Sequence, residues 1–417
     1  MRSMPKRHEF QLLGGLLAVD LLIGIVIVWK MPFDAPTPEY LWPAIEFGTT
    51  HHIASAFLSL GYSALIGLGY RVTGSKWGIS AVDILICLSI IAAAWAYLRL
   101  IHMTVRQTLC LTALLSLYPE FLLSFHKVED INITALLLFS FLVAVLLIQR
   151  ANRWGYPDLV LSLVLTAAIL VRPNLVLLVP LAWFVLYKLR VPKLVVRAAT
   201  QALIISLCYV AFTTAVHGRP FFPHNGPYNL YAGANPFTEA HMDNPEDSLV
   251  EALAAQGIYA TMNWEKQADL PGVTDLRDAN LEPLYRRLAW NFIRFHPSTM
   301  VRLTWLKFVN LMRPDLRQHR AGSLGGLFKI LEAFAIPLWI AATCLLPHPG
   351  PRYTRLLVAA TLILSVLPML LTVSPARFRV PLDFVCWMDL GAIVLSWRNK
   401  GFNPTISSQT LPQPKAS

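Results

Sequence analysis

The sequence places carboxylates at two positions where they could perform acid–base chemistry. Residues 32–40 read PFDAPTPEY and carry Asp34 and Glu39 just before an aromatic stretch. A carboxylate in such a loop can act as general base on an acceptor hydroxyl, although an acid among prolines can also cap the following helix. Glu129, followed by Asp130, opens an apolar run. The helix dipole favours acids at that position, so this pair either caps a helix or contributes to a site.

Arginines in two other loops could bind an anion. Arg172 precedes a proline between two apolar runs, and Arg377 and Arg379 lie in the segment SPARFRVP. A guanidinium group can bind two phosphate oxygens at once, whereas the alternative is an arginine that only extends from a helix end towards the membrane surface. Lys127, in the loop before the second acid pair, is a further candidate cation.

A third segment is rich in asparagine, glycine and proline. Residues 227–236 read PYNLYAGANP, a composition typical of a tight turn. The side chains of Asn229, Tyr231 and Asn235 could hydrogen-bond a sugar or could hold the loop itself. Adjacent His51 and His52 could ligate a divalent metal, but no acid stands at a fixed spacing from them.

These residues belong to a chain with too little polar surface for a soluble particle. Of its 417 residues, 55% are hydrophobic and 14% are charged, against about 25% charged residues in a typical soluble domain. Its apolar runs have roughly the 16–22 residues of a membrane-spanning helix. The sequence therefore predicts an all-α, polytopic transmembrane helical bundle of about ten spans. The predicted spans are residues 11–29, 77–98, 107–124, 132–148, 157–171, 174–187, 198–216, 327–346, 356–373 and 380–396.

The distribution of lysine and arginine predicts the orientation of these spans. The chain has 35 Lys+Arg against 24 Asp+Glu, and cytoplasmic loops carry the Lys and Arg excess in membrane proteins. With a cytoplasmic N-terminus every inner loop is basic, and Glu9 and Asp158 are the only acids in them. The candidate residues then lie on the outer face, which predicts a bacterial inner-membrane protein with a site facing the periplasm. Most of the charge excess is topological, and no basic run with interleaved aromatics indicates a nucleic-acid partner.

The predicted spans and loops divide the chain into four regions. An N-terminal transmembrane module carries the candidate base in its first outer loop, and a long outer-face loop with interfacial helices follows it. The chain then returns to spans and ends in a polar tail that is predicted to be cytoplasmic and disordered. The boundaries are 1–216 for the module, with its first outer loop at 30–76, then 217–326, 327–398 and 399–417.

Some helices are predicted to lie on the membrane rather than across it. Apolar residues recur at helical spacing over 281–295, which indicates an amphipathic helix at the surface. Residues 299–312 are also predicted to be interfacial, because two cations interrupt a run that is too short to span. In the first outer loop, the helix over 53–70 is predicted to be broken at its glycines. Acids within the predicted spans should line a cavity or pair with arginines; they are Asp20, Asp83, Glu120, Glu332, Asp383 and Asp389.

In their order along the chain, these motifs resemble those of the superfamily C integral membrane glycosyltransferases that use polyprenyl-phosphate sugars. The resemblance is to the family related to protein O-mannosyltransferases and lipid A aminoarabinose transferases, and it runs through nearly the whole chain. The matching features are Asp34 with Tyr40 and Ala44, Tyr118-Pro119 followed by Glu129, Arg172-Pro173, NLYAGANP at 229–236, AWNFIRFHP at 289–297 and RFRVP at 377–381.

Two departures from the family pattern affect the site. The family places its acid about four positions before the tyrosine, whereas Asp34 lies six before Tyr40 and Glu39 is adjacent to it. The base is therefore either Asp34 or Glu39. The family's GNNP reads GANP at 233–236, so one amide side chain is missing.

The resemblance implies an inverting transfer of a sugar from a polyprenyl-phosphate donor to an acceptor hydroxyl, or to an amine-bearing glycan, lipid or protein. The phosphate leaving group requires cations to stabilise its charge, for which the candidates are Arg377, Arg379 and Arg172, with Lys127 behind them. Asp34 is the first choice of base and Glu39 the alternative, while Glu129 would orient the sugar or the acceptor. The residues expected to contact the sugar or shape its loop are Tyr40, Asn229, Tyr231 and Asn235. No cofactor is required, although a divalent metal could replace some of the cations.

Two other functional classes compete with this interpretation. A lipid-linked oligosaccharide polymerase or ligase would use a similar outer-face site with a pyrophosphate donor. A lipid or solute transporter would be expected to show inverted repeats and charges at the membrane midplane. The sequence contains no internal repeat, which favours the enzyme classes.

Overall fold

The computed structural model of this chain describes most of the bundle. The residues it describes are 6–30, 38–53, 59–125, 129–151, 155–221, 223, 225–242, 245–258, 260–261, 274–276, 278–312, 324–351, 353–372 and 379–400. Asp34, Lys127 and Arg377 lie outside these ranges. Glu39 lies in the first turn of a described helix, but its side chain is outside the described part.

The described chain is almost entirely helical. Its helices are α1 (Lys6–Lys30), α2 (Pro38–Thr50), α3 (Leu60–Thr73), α4 (Lys76–Leu100), α5 (Val105–Ser116), α6 (Pro119–Ser124), α7 (Asp130–Ala151), α8 (Tyr156–Val171), α9 (Leu178–Lys188), α10 (Leu194–His217), α11 (Asn225–Gly233), α12 (Pro245–Ala254), α13 (Glu282–Phe295), α14 (Pro297–Met312), α15 (Leu324–Leu345), α16 (Thr354–Leu371) and α17 (Val380–Lys400). Short 3-10 helices cover Pro173–Leu177 and Ala279–Leu281. Strands β1 (Ala260–Thr261) and β2 (Thr274–Asp275) pair in parallel.

Six described helices are long and apolar enough to cross a membrane, namely α1, α4, α7, α10, α16 and α17. Shorter apolar helices over 156–171, 173–188 and 334–345 occupy three further predicted spans. The predicted polytopic helical bundle is thereby confirmed. The predicted span 107–124, however, is two helices, because the chain breaks at Leu117–Tyr118 before Pro119. Proline has no N–H to donate and disfavours helical backbone in the residue before it.

Contacts between helix ends show which loops lie at the same end of the bundle. At one end, Arg99 Nε lies 2.5 Å from Glu9 Oε1, and Arg150 Nη2 donates to the Leu100 carbonyl at 2.6 Å. At the opposite end, Arg172 contacts Asp130, and the Ile53 N–H donates to the Val216 carbonyl. We refer to these as the Arg99 end and the Arg172 end. The loops grouped at the Arg99 end are those that the charge distribution predicts to be cytoplasmic.

Helices α11, α12 and α13 form a small core of their own. Tyr285 and Ala289 of α13 are buried, and the Tyr285 ring lies 5.9 Å from that of Tyr228 and 6.0 Å from that of Tyr231. The apolar face of α13, predicted to rest on the membrane, is therefore covered by protein. Trp290 and Phe295 of α13 remain exposed on the surface of this small core.

A buried acid ties the last span to the bundle. The Asp389 carboxylate in α17 accepts hydrogen bonds from three side chains, and its own exposure is 0%. The donors are Tyr97 Oη, Trp339 Nε1 at 2.9 Å and His348 Nε2 at 2.8 Å. The Gly350 N–H donates to His348 Nδ1, so His348 presents its Nε2–H to Asp389. This acid, expected to line a cavity or pair with an arginine, is instead held by three polar donors.

Candidate functional site

Glycines bring α2, α3 and α4 together at the Arg172 end. A Cβ at Gly67 would lie 2.6 Å from the Ala44 carbonyl oxygen of α2, and one at Gly69 would overlap the Gly78 carbonyl of α4. A Cβ at Gly61 would lie 2.7 Å from the Leu170 carbonyl of α8. Only glycine allows such close backbone approach. Helix α3 is therefore continuous from Leu60 to Thr73, and the prediction that these glycines break it is wrong.

This packing aligns aromatic and acidic side chains from three helices. Tyr62 Oη donates to Asp83 Oδ1 at 2.8 Å, and both side chains are buried. The Tyr40 ring meets the Tyr62 ring edge to face at 5.2 Å. Burial raises the pKa of Tyr62 well above its ordinary value, and the nearby Asp83 carboxylate raises it further. Tyr62 therefore keeps its proton and remains a donor.

Arg172 lies in the same region and is held by a buried carboxylate. Its Nε lies 2.5 Å from Asp130 Oδ2 and its Nη2 lies 2.7 Å from Asp130 Oδ1. Burial lowers the pKa of Arg172, but attraction and hydrogen bonding to Asp130, with smaller contributions from Tyr40 and Glu129, raise it overall. The guanidinium group is therefore a fixed positive charge whose Nε and Nη2 both face Asp130.

Asp83 has a buried carboxylate oxygen, Oδ2, without a hydrogen-bond donor among the described residues. Unsatisfied buried acceptors are costly in folded proteins. From the sequence, Asp83 is only an acid inside a predicted span. Its contact with Tyr62 and its position beside the outer loops depend on the tertiary structure. We call Tyr40, Tyr62, Asp83, Glu129, Asp130 and Arg172 the first cluster.

The first cluster unites some of the predicted site residues and leaves others untested. Tyr40, Glu129 and Arg172 come from three separate segments, and all three affect a common electrostatic environment. Asp34 lies four residues before α2 and Lys127 lies two residues before Glu129, but both are outside the described residues.

A second group of cations lies where α14 meets the start of α17. Arg379 is buried, and its Nε donates to Asp383 Oδ1 at 2.9 Å. Its Nη1 reaches the Leu311 carbonyl at 3.5 Å. One turn earlier on α14, Lys307 Nζ donates to the Gly233 carbonyl at 2.6 Å. The expected pairing of Asp383 with an arginine is confirmed.

The asparagine-rich segment is organised by its own hydrogen bonds. Asn235 is buried, and its Nδ2 donates to the Tyr231 carbonyl at 2.8 Å and to Ser248 Oγ at 3.1 Å. Its Oδ1 accepts from the Phe237 N–H at 2.8 Å. Of the two roles open to Asn235, these contacts favour holding the loop. Tyr231 is buried in the small core and Asn229 is partly exposed.

The histidines do not assemble a metal site in the described chain. His52 stacks on His217, with ring centroids 5.8 Å apart, and His217 Nδ1 lies 2.5 Å from the Ile53 carbonyl. Within the described residues, no group of three or more His, Cys, Asp or Glu side chains could hold a metal ion.

In comparisons with known proteins, the chain is similar to a solved structure but matches no family model. No curated protein matches it either. Among solved structures, the chain is similar to the archaeal oligosaccharyltransferase AglB from Archaeoglobus fulgidus, in complex with an inhibitory peptide and a dolichol-phosphate, with a TM-score of 0.49 and 14% identity. The match covers 97% of this chain and 52% of that one, so this chain spans about half its length. A likeness at this identity and TM-score does not establish a shared activity.

Proposed function

We propose that the chain is an inverting membrane glycosyltransferase that moves a sugar from a polyprenyl-phosphate donor to an acceptor on the outer face of the membrane. The observation that carries the proposal is the first cluster. There, Tyr40 and Glu129, which are far from Arg172 in sequence, influence Arg172 electrostatically at the bundle end opposite the basic loops. The acceptor is a hydroxyl group, or an amine-bearing glycan, lipid or protein.

On the donor side, cations stabilise the departing phosphate. When the bond between the anomeric carbon and the phosphate oxygen breaks, the electron pair stays on that oxygen, and fixed positive charges lower the energy of this state. Arg172 and Arg379 are buried cations. In the sequence, Arg377 lies two residues before Arg379, and Lys127 lies three residues before Asp130, which binds Arg172. Because Asp130 and Asp383 already bind these two arginines, each arginine would stabilise the phosphate by its positive charge.

On the acceptor side, one carboxylate suffices. The attacking oxygen forms its bond to the anomeric carbon while the carboxylate takes its proton, and a single displacement inverts the anomeric centre. Asp34 lies six residues before Tyr40 and Glu39 is adjacent to it. Because the Tyr40 ring lies in the first cluster, we assign the base to one of these two acids. Glu129, which influences Arg172 and Asp83 electrostatically, orients the sugar or the acceptor.

A reconstituted transfer assay tests the proposal. Purified protein in liposomes should transfer labelled sugar from a polyprenyl-monophosphate donor. Asp34→Asn or Glu39→Gln should lower the rate by about 10²–10⁴-fold, the contribution typical of general base catalysis. Glu251→Gln, which changes an exposed acid on α12, is the matched control and should leave the rate unchanged.

Other outcomes would replace the proposal. Full activity in both Asp34→Asn and Glu39→Gln would remove the base assignment. Transfer only from a polyprenyl-pyrophosphate donor would instead indicate a polymerase or ligase. Movement of the lipid across the bilayer without sugar transfer would refute an enzyme of either kind.

A further inference from the structure

Lys307 is a buried lysine that no carboxylate neutralises among the described residues. It lies in α14 and is 3% exposed. Its Nζ donates to one acceptor, the Gly233 carbonyl at 2.6 Å. Lysine is almost never fully buried unless it is paired, because removing an ammonium group from water costs several kcal/mol. The position of Lys307 therefore requires an explanation.

The packing around Lys307 requires a glycine at position 233. A Cβ there would lie 2.8 Å from Lys307 Nζ and would overlap the Thr372 carbonyl at the end of α16. The glycine thus lets α11, α14 and α16 meet at one point. The family-like segment 229–236 supplies this glycine, which gives the segment a role beyond its turn.

A second buried cation contacts α14 one turn beyond Lys307. The carbonyl of Leu311, four residues after Lys307, lies 3.5 Å from Arg379 Nη1. Lys307 and Arg379 therefore border the same stretch of α14. Such a pair of cations suits one anion with several oxygens, such as a phosphate.

The other charged groups on the elements around Lys307 are paired with other residues, exposed or at the far end of their helix. On α14, Arg302 is exposed and lies 2.5 Å from Glu239 in the loop after α11. At the start of α17, Asp383 binds Arg379. His296 precedes α14 and is exposed. On α13, Glu282 binds Arg286, while Arg287 and Arg294 lie on its solvent side; α16 has only Arg355, at its opposite end.

An ammonium group has three N–H donors, and the described residues accept from one of them. Burial lowers the pKa of Lys307 to about 7. A nearby anion would favour the charged form, and the two remaining N–H donors could then bind its oxygens.

We propose that Lys307 is a ligand of the donor's phosphodiester group, which it binds together with Arg379 while keeping its hydrogen bond to Gly233. This assignment rests on the proposed function. It adds a phosphate-binding residue from α14, a helix that supplies none of the sequence-predicted cations.

The pH dependence of binding separates this role from a purely structural one. We choose farnesyl methyl phosphate as probe, because a phosphodiester carries one negative charge at every pH used. Radiolabelled probe would be bound to the full-length protein in phosphatidylcholine nanodiscs from pH 6 to pH 9, with uncharged farnesyl methyl ether as control. Because only charged Lys307 binds the anion, the Kd should be constant below pH 7 and then rise by up to about tenfold per pH unit.

Two substitutions at the same position sharpen the test. Lys307→Met keeps most of the length of the side chain without its charge, so it should weaken binding at least tenfold at pH 6 and remove the pH dependence. Lys307→Arg keeps a charge that does not titrate in this range, so its Kd should stay flat up to pH 9. Arg302→Met, the matched control on α14, should behave like the unmodified protein.

The opposite results would overturn the assignment. A flat Kd for the unmodified protein between pH 6 and pH 9 would do so even where a variant fails to fold. Equal competition by phosphatidylglycerol would also do so, since the site would then bind an ordinary lipid headgroup. Lysine-dependent probe binding without sugar transfer would support this site and refute the proposed function. Sugar transfer that is unaffected by Lys307→Met would support the proposed function and refute this site.

Discussion

The buried pair of Arg172 and Asp130 offers a direct way to separate the structural role of Arg172 from its proposed role at the donor phosphate. Asp130→Asn keeps the size of the side chain but removes its negative charge. Arg172 would then be a buried cation without its bidentate partner, because its Nε and Nη2 lie 2.5 and 2.7 Å from the Asp130 carboxylate. Asp130→Leu together with Arg172→Leu removes the two charges at once.

The burial of the Arg172–Asp130 pair determines how strongly each substitution should change stability. Removing one partner of a buried ion pair costs about 3–5 kcal/mol, because the other charge is left uncompensated, whereas replacing both partners by apolar residues is often neutral or stabilising. Asp130→Asn should therefore lower the free energy of unfolding by about 3–5 kcal/mol. The double variant should recover most of that loss.

Unfolding of the purified protein in mixed micelles would measure stability, and the reconstituted transfer assay would measure activity. If Arg172 serves only to hold the fold, the stable double variant should also recover sugar transfer. If Arg172 also stabilises the phosphate, that variant should fold and transfer at least about tenfold more slowly, corresponding to roughly 1.4 kcal/mol of lost transition-state stabilisation. Unchanged stability in Asp130→Asn would refute the argument, because the pair would then contribute nothing to the fold.

Two further substitutions test the packing that supports the site. Gly233→Ala should destabilise the protein by about 1–3 kcal/mol, because the new Cβ would overlap the Thr372 carbonyl. The control Gly226→Ala adds a Cβ with nothing within 4 Å and should leave the unfolding midpoint unchanged. Equal midpoints for the two variants would contradict the close contact at Gly233. Asp389→Asn should lower the free energy of unfolding by about 1.5–3 kcal/mol, the contribution of one hydrogen bond to a charged group. Unchanged stability in the same unfolding measurement would disprove the role of Asp389 as shared acceptor.

Part of the candidate site could be predicted because its residues are unusual for their positions. Arginines in loops predicted to lie outside, acids at the start of a span and a run of Asn, Gly and Pro all depart from what a membrane bundle requires. These departures single out Arg172, Arg379, Glu129 and Asn235 as candidates. The first cluster includes Tyr62 and Asp83 as well, which look like ordinary members of an aromatic helix and a span. Lys307 was visible only as a cation that shortens an apolar run.

The sequence by itself determined that the chain is a helical membrane bundle and which of its loops share an end. The physical reason is that apolar length and charge placement are local properties, and the bilayer imposes them on each segment separately. Tertiary structure decided which polar groups meet. The glycines of α3 act as contact surfaces rather than breaks, Arg172 and Arg379 are each held by an aspartate, and Lys307 reaches Gly233 from another part of the chain. Such pairings depend on how helices far apart in sequence pack, and no spacing within one helix encodes them.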